Sequence, residues 1–233
     1  MNNPVDLVAL DMAGTTIDDG GAVYEALRGA VEDAGASVAQ SDLQVWMGTD
    51  KVEAITHLLR LGGIEPTDTL VAAGFRRFRE RLAEAYAAAP PRAIEGVPAA
   101  LAELRARGIA VALTTGFDDA VAYPLLAALG WKIGTDLEST VDAVVTTSDV
   151  PAGRPAPYLI HRAMEKTGAR DVRRVLAAGD TAVDVQAASN AGAISVGVLT
   201  GKADPEVLAA AGADHVLDGV TDLPALLAAP AKP

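Results

Sequence analysis

Short, unbroken hydrophobic runs alternate with longer amphipathic segments over most of the chain. An apolar run of about four to eight residues is typical of a strand that is buried on both faces of a parallel sheet. Such runs predict strands over residues 5–10, 109–113, 141–145, 175–178 and 194–199, with a short edge strand over 215–217. The segments between them predict helices over residues 98–107, 117–129, 158–167, 181–191 and 223–228. This alternation predicts an α/β fold with a doubly wound parallel sheet.

Residues 21–89 depart from this alternation, because helical patterns dominate there and strand signals are scarce. Glycine, proline and capping residues divide the segment into predicted helices over residues 22–34, 50–61 and 66–88. Asp50 is the expected N-cap of the second helix, and the pair Pro90-Pro91 is the expected hinge. We therefore predict an α/β core domain, residues 1–20 and 90–233, with an inserted helical domain, residues 21–89.

The composition excludes several classes of function. Lys and Arg number 19 and Asp and Glu number 31, so the formal net charge is −12, which disfavours nucleic acid and anionic membrane as partners. The chain has no cysteine, which excludes disulfides, thiolate metal sites and a cysteine nucleophile. No apolar stretch approaches the ~18–20 residues of a membrane span, and no basic segment typical of a signal peptide precedes the first apolar run. We expect a soluble cytoplasmic protein.

Polar side chains of different types follow the predicted strands. Asp11, Thr115 and Asp180 each stand at the end of a strand, and Arg154 lies in the loop after another. Each alone could be a turn former or a helix cap, but the carboxyl ends of parallel strands share one edge of a sheet. Two carboxylates suit Mg²⁺, a hydroxyl and a guanidinium suit phosphoryl oxygens, and one carboxylate could attack phosphorus. The combination predicts phosphoryl chemistry.

The order and spacing of these motifs resemble the haloacid dehalogenase superfamily of hydrolases over nearly the whole chain. The motifs are DMAGTT, which begins at Asp11, then Thr115, Arg154 and the string GDTAVD. The resemblance implies a HAD-like, Rossmann-type core with an inserted helical cap. It further implies that Asp11 is the nucleophile and that Thr115 and Arg154 orient the phosphoryl oxygens. The Mg²⁺ ligands that it implies are Asp11, the backbone carbonyl of Ala13, Asp180 and Asp184.

Two departures from most superfamily phosphatases indicate a particular branch. Ala13 stands where most of those enzymes carry an acidic general acid, and Arg154 stands where most carry lysine. Both residues match the phosphonatase family, the phosphonoacetaldehyde hydrolases, as do the strings LRARGIAVALTTGF and VPAGRP. Phosphonatases form a Schiff base between the substrate aldehyde and a cap lysine in a Met-Gly-x-x-Lys string. Met47-Gly48-Thr49-Asp50-Lys51 fits that string, so the resemblance implies an imine on Lys51.

The chemistry of a C–P bond is consistent with these substitutions. Its leaving group is a poor carbanion without an alkoxide oxygen, so a general acid at position 13 would have nothing to protonate. An iminium on Lys51 would serve as an electron sink and let the leaving group depart as an enamine. Lys51 also falls in the first turn of its predicted helix, where the macrodipole favours the neutral amine. The resemblance further implies that Met47, Gly116 and Thr15 contact the substrate.

Other interpretations of the sequence stay open. Lys51 could grip the substrate phosphate, as an arginine does in related sugar phosphatases, or it could be a solvated surface residue. Phosphonatases carry a histidine where this chain has Ala54 and a cysteine where it has Gly21. The chain could therefore be a phosphomonoesterase of a small phosphorylated metabolite, or a phosphate-binding relative without activity. The family also implies a homodimer formed through the cap.

Overall fold

Two compact units make up the chain in a computed structural model that describes residues 5–136 and 138–228. One unit holds the chain up to Asp18 and again from Ala93 onward, and the other is Asp19–Arg92. In the described part of the chain, none of the helices combines the length and the apolar character needed to cross a bilayer.

The first unit is built on a six-stranded parallel sheet. In chain order, the strands of the protein are β1 Leu7–Asp11, β2 Ile17–Asp18, β3 Arg92–Ala93, β4 Ala110–Thr114, β5 Ala143–Val145, β6 Val175–Gly179, β7 Ile194–Val198 and β8 His215–Leu217. The sheet order is β5-β4-β1-β6-β7-β8, whereas β2 and β3 pair separately. The winding direction reverses between β1 and β6, which is where open α/β sheets bind their ligands. The predicted doubly wound parallel sheet is confirmed.

The helices follow the predicted pattern with two additions. In chain order they are α1 Ala22–Glu32, α2 Gln40–Val45, α3 Lys51–Leu61, α4 Asp68–Ala88, α5 Val97–Ala106, α6 Asp119–Ala128, α7 Tyr158–Thr167, α8 Ala182–Ala191, α9 Pro205–Ala210 and α10 Leu223–Ala228. The sequence analysis did not predict α2 and α9. Each has six residues, fewer than two turns, so neither shows a hydrophobic period long enough to identify a helix.

Alanines set the spacing between the sheet and two of its helices. All five residues of β1 are buried, and Ala9 packs in one cluster with Ala112 of β4 and Ala177 of β6. Alanines of α7 and α8 complete this cluster, with Ala163 and Ala188 fully buried. Small side chains on both surfaces let the helices approach the sheet closely, which holds α8 against β6 and β7.

The second unit is helical, and its helices are joined by caps and ion pairs. The Asp50 carboxylate accepts the backbone N–H groups of Val52 and Glu53 at 2.9 and 3.0 Å, which confirms Asp50 as the N-cap of α3. Asp33, just after α1, forms ion pairs with Arg77 and Arg81 of α4 at 2.8 and 2.6 Å. These contacts connect the end of α1 to the side of α4.

Candidate active site

Asp11 is the last residue of β1 and lies beside Thr114 of β4 in the sheet register. Its carboxylate is buried, and Oδ1 lies 2.6 Å from Nη1 of Arg154. Burial raises the pKa of Asp11 to about 6, although the positive charge of Arg154 opposes the rise. The ion pair with Arg154 favours the ionised form of Asp11, which a carboxylate nucleophile needs.

Arg154 connects several groups at this edge of the sheet. Besides its contact with Asp11, its Nε lies 2.9 Å from Oδ1 of Asp184, and its Nη2 donates to Oγ1 of Thr114 at 2.9 Å. Burial disfavours the charged guanidinium, but the charges of Asp11 and Asp184 outweigh this cost and raise the pKa of Arg154. Arg154 is therefore a permanent, buried cation beside the candidate nucleophile, suited to binding phosphoryl oxygens.

The loop that carries Arg154 is held at both of its ends. Near β5, Nζ of Lys166 donates to the Val144 carbonyl at 2.7 Å and lies 2.9 Å from the Asp149 carboxylate. Directly after Arg154, the Asn190 side chain donates to the Pro155 carbonyl at 2.8 Å. Local sequence patterns gave no signal for Asn190, because its partner lies 35 positions away.

Asp184 belongs to the N-terminal capping box of α8. Its Oδ2 accepts the Thr181 backbone N–H at 3.1 Å and the Thr181 hydroxyl, while its Oδ1 faces Arg154. Both oxygens of this carboxylate are thus engaged by protein groups. In this arrangement Asp184 orients Arg154, and its predicted part in the metal site stays a prediction.

A tight turn follows β1 and brings it to Asp180. The Met12 carbonyl accepts the N–H groups of Thr16 and Ile17, each at 2.9 Å. Gly14 adopts a left-handed φ of 87° within this turn, which other residues rarely tolerate. The hydroxyl of Thr15 then donates to Oδ1 of Asp180 at 3.0 Å, so Thr15, predicted to contact substrate, holds a carboxylate.

The oxygen donors at this edge fit a hard divalent cation. Burial raises the pKa of Asp180 well above its usual value, and the negative charge of Asp11 raises it further. A cation held by both carboxylates would relieve this repulsion. Mg²⁺ is commonly held by one or two carboxylates, with water and substrate oxygens completing the shell. No group of three or more acidic or histidine side chains converges as a metal site within residues 5–136 and 138–228. The predicted ligands Asp11, Asp180, Asp184 and the carbonyl of Ala13 stay a prediction.

The structure gives two neighbouring threonines different contacts. The Thr115 side chain accepts the Phe117 N–H at 3.1 Å, and its own N–H donates to the Val145 carbonyl at 3.1 Å. Arg154 donates instead to Thr114, which the sequence analysis did not single out. Thr115 and Gly116 follow β4 at the same edge of the sheet as Asp11, and their roles toward substrate stay predictions.

Lys51 and Met47 belong to the helical unit. Lys51 is the first residue of α3 and is buried, and its Nζ donates to the Thr49 carbonyl at 2.9 Å. Met47 is buried as well. A buried lysine is uncommon, because removing the ammonium from water is costly unless it is paired or neutral. The interpretation of Lys51 as a solvated surface residue is therefore wrong.

Known proteins resemble this chain over most of its length. The family model for haloacid dehalogenase-like hydrolases matches residues 5–192. A phosphonoacetaldehyde hydrolase of Bacillus cereus (strain AH820) is 32% identical over 217 residues, which are 86% of this chain and 78% of the relative. A crystal structure of a hydrolase from Pseudomonas syringae superposes with a TM-score of 0.79 at 26% identity, over 94% of this chain and 95% of that one. A phosphonoacetaldehyde hydrolase-like protein from Oleispira antarctica superposes at 0.81 with 24% identity, over 97% and 92% of the two chains.

Proposed function

Because the chain belongs to the haloacid dehalogenase-like hydrolases, we propose that it is a Mg²⁺-dependent enzyme that hydrolyses the C–P bond of a small aldehyde phosphonate. One observation carries the proposal: Lys51 is buried at the start of α3 in a chain whose first motif has Ala13 in place of a general acid. A phosphomonoesterase needs the missing acid, whereas an imine-dependent reaction needs the lysine. The 32% identity to a phosphonoacetaldehyde hydrolase supports the same substrate class.

In the proposed reaction, the core unit performs the transfer at phosphorus. The Asp11 carboxylate attacks phosphorus and forms an aspartyl-phosphate. Arg154 binds the phosphonyl oxygens, and Thr115 helps to orient them. Mg²⁺, held by Asp11, Asp180 and the Ala13 carbonyl, would offset the negative charge that collects between nucleophile and substrate.

Lys51 supplies the electron sink for the leaving carbon. Its neutral amine adds to the aldehyde, water leaves, and an iminium forms. When Asp11 takes the phosphoryl group, the electron pair of the C–P bond moves into the iminium and gives an enamine. The enamine takes a proton on carbon and is hydrolysed, which releases the dephosphonylated aldehyde and free Lys51. Water then cleaves the aspartyl-phosphate and releases phosphate.

A phosphomonoesterase of a small phosphorylated metabolite is the second candidate. The core site is compatible with this reaction, since Asp11, Arg154 and Asp180 would treat a phosphoester and a phosphonate alike. Lys51 would then grip the substrate phosphate. A binding protein without activity is disfavoured, because the chain retains a buried, ionisable Asp11 next to Arg154.

Borohydride trapping distinguishes the two candidate reactions. With phosphonoacetaldehyde present, borohydride should inactivate the protein and label the peptide that contains Lys51, whereas borohydride alone should not. Lys51→Arg should be inactive, because arginine keeps the charge but its pKa above ~12 prevents imine formation. The matched control is Lys132→Arg at an exposed lysine, which should keep wild-type turnover. Substantial turnover by Lys51→Arg would move the function to a phosphatase.

A further inference from the structure

The loop after β7 contacts both the turn after β1 and the Asp180 side chain. The hydroxyl of Thr200 donates to the Gly14 carbonyl at 2.6 Å, across 186 positions of sequence. The next residue, Gly201, lies against the Asp180 carboxylate, because a Cβ built on it would sit 1.8 Å from Oδ2. The Leu199 N–H, which donates to the Leu217 carbonyl at 3.0 Å, anchors the start of this loop.

Close packing, and not the backbone conformation, is what requires glycine at position 201. Gly201 does not adopt the left-handed conformation, so an alanine would fit its backbone. The three atoms nearest to a Cβ built at this position all belong to the Asp180 side chain, at 1.8 to 2.6 Å. A Cβ on Gly14 would lie 2.5 Å from the same Oδ2. Both glycine backbones therefore lie against Oδ2 of Asp180, while Thr15 holds Oδ1 at 3.0 Å.

We propose that Thr200 and Gly201 are positioning residues that fix the Asp180 carboxylate and the turn after Asp11 in the geometry that holds the metal ion. Thr200 holds the Gly14 peptide in place, and Gly14 and Gly201 together restrict rotation of the carboxylate. Hydrogen-bonded groups behind metal ligands typically control affinity by about 10–100-fold. The inference rests on the metal site of the proposed function but not on cleavage of a C–P bond.

The test measures Mg²⁺ affinity directly, by isothermal titration calorimetry on the full chain. Thr200→Val removes the hydroxyl at nearly constant volume and should weaken Mg²⁺ binding about tenfold. Thr200→Ser keeps the donor and should bind nearly as the wild type does. The matched control is Thr167→Val, because the Thr167 hydroxyl also donates to a backbone carbonyl, that of Ala163, at 2.8 Å. This control should lose some thermal stability and keep the wild-type Mg²⁺ affinity.

Gly201→Ala is a second variant and is expected to weaken Mg²⁺ binding more than Thr200→Val does. Circular dichroism checks that it folds. If it does not fold, the Mg²⁺ affinity of Thr200→Val alone tests the inference. Wild-type affinity in Thr200→Val, or equal weakening in Thr167→Val, would overturn the inference, as would a wild-type chain that binds no Mg²⁺. Turnover of phosphonoacetaldehyde and of p-nitrophenyl phosphate is measured in parallel. A wild-type chain that binds Mg²⁺ without cleaving the phosphonate would refute the proposed reaction and leave the positioning roles standing.

Discussion

Arg154 and Asp11 form a buried ion pair, with 2.6 Å between Nη1 and Oδ1, although they are distant in sequence. Only 3% of the Arg154 side chain and 9% of the Asp11 side chain is exposed, so each helps to offset the other's loss of solvation. Asp184 gives Arg154 a second carboxylate partner at 2.9 Å. Asp184 therefore keeps the guanidinium in place when the Asp11 carboxylate attacks phosphorus. It does the same when Asp11 is replaced by an uncharged residue.

Asp11→Asn is expected to abolish turnover while the protein still folds. An amide cannot attack phosphorus and binds Mg²⁺ weakly, so the rate should fall by several orders of magnitude. The amide oxygen still accepts a hydrogen bond from Arg154, and Asp184 keeps the guanidinium paired. Steady-state turnover measures the loss of activity, and circular dichroism checks that the variant is folded. Activity at a tenth of the wild-type rate or above would show that Asp11 is not the nucleophile.

Ala13→Asp is expected to separate the two candidate reactions. Cleavage of a C–P bond offers no leaving oxygen to protonate, so the variant should cleave phosphonoacetaldehyde no faster than the wild type. A well-placed general acid contributes ~10²–10⁴-fold to ester hydrolysis. The hydrolysis rates of phosphonoacetaldehyde and of simple phosphomonoesters are compared in both proteins. A large gain in esterase activity, in a protein whose wild type does not cleave the phosphonate, would favour the phosphomonoesterase.

Asp33 is expected to give the helical unit a pH-dependent contribution to stability. Hydrogen bonds from Arg81 and Arg77 lower the pKa of Asp33 from 3.8 to about 2. Because the folded-state pKa is depressed, this contribution is fully present above pH 4 and is lost as the pH falls toward 2. The difference in urea midpoint between wild type and Asp33→Asn should be constant from pH 7 to 5 and shrink below pH 4. A difference that grows on acidification would contradict this assignment.

Tyr86→Phe is expected to stabilise the protein. The Tyr86 hydroxyl is buried and has no hydrogen-bond partner among the described residues. It therefore loses its hydrogen bonds to water on folding without replacing them. Removing such a group should raise the free energy of unfolding by about 1 kcal/mol. Tyr123→Phe, at an exposed tyrosine, is the control and should change little. Urea denaturation measures both variants, and destabilisation in Tyr86→Phe would reveal a partner for the hydroxyl.

Local patterns predicted the sheet and the strand-end residues, because a buried parallel strand and a helix cap are encoded within a few positions of sequence. Asp11 closes β1, and Asp50 caps α3 as expected. The contacts that complete the site are not local. The choice of Thr114 over Thr115 as the partner of Arg154 depends on strand register and on the loop geometry, which no single segment encodes. The contact between Thr200 and Gly14 likewise exists only once β7 is in place.

The central position of β1 has a consequence for synthesis of the chain. β1 is synthesised long before β6, one of its two neighbours in the sheet, and Thr15 and Asp180 are 165 positions apart. Until β6 emerges, β1 has an open edge and the Thr15 hydroxyl lacks its partner Asp180. Such exposed edges bind chaperones or other nascent chains, and non-local pairing makes folding slow. Truncation before β6 should therefore leave the α/β unit unable to fold and prone to aggregate.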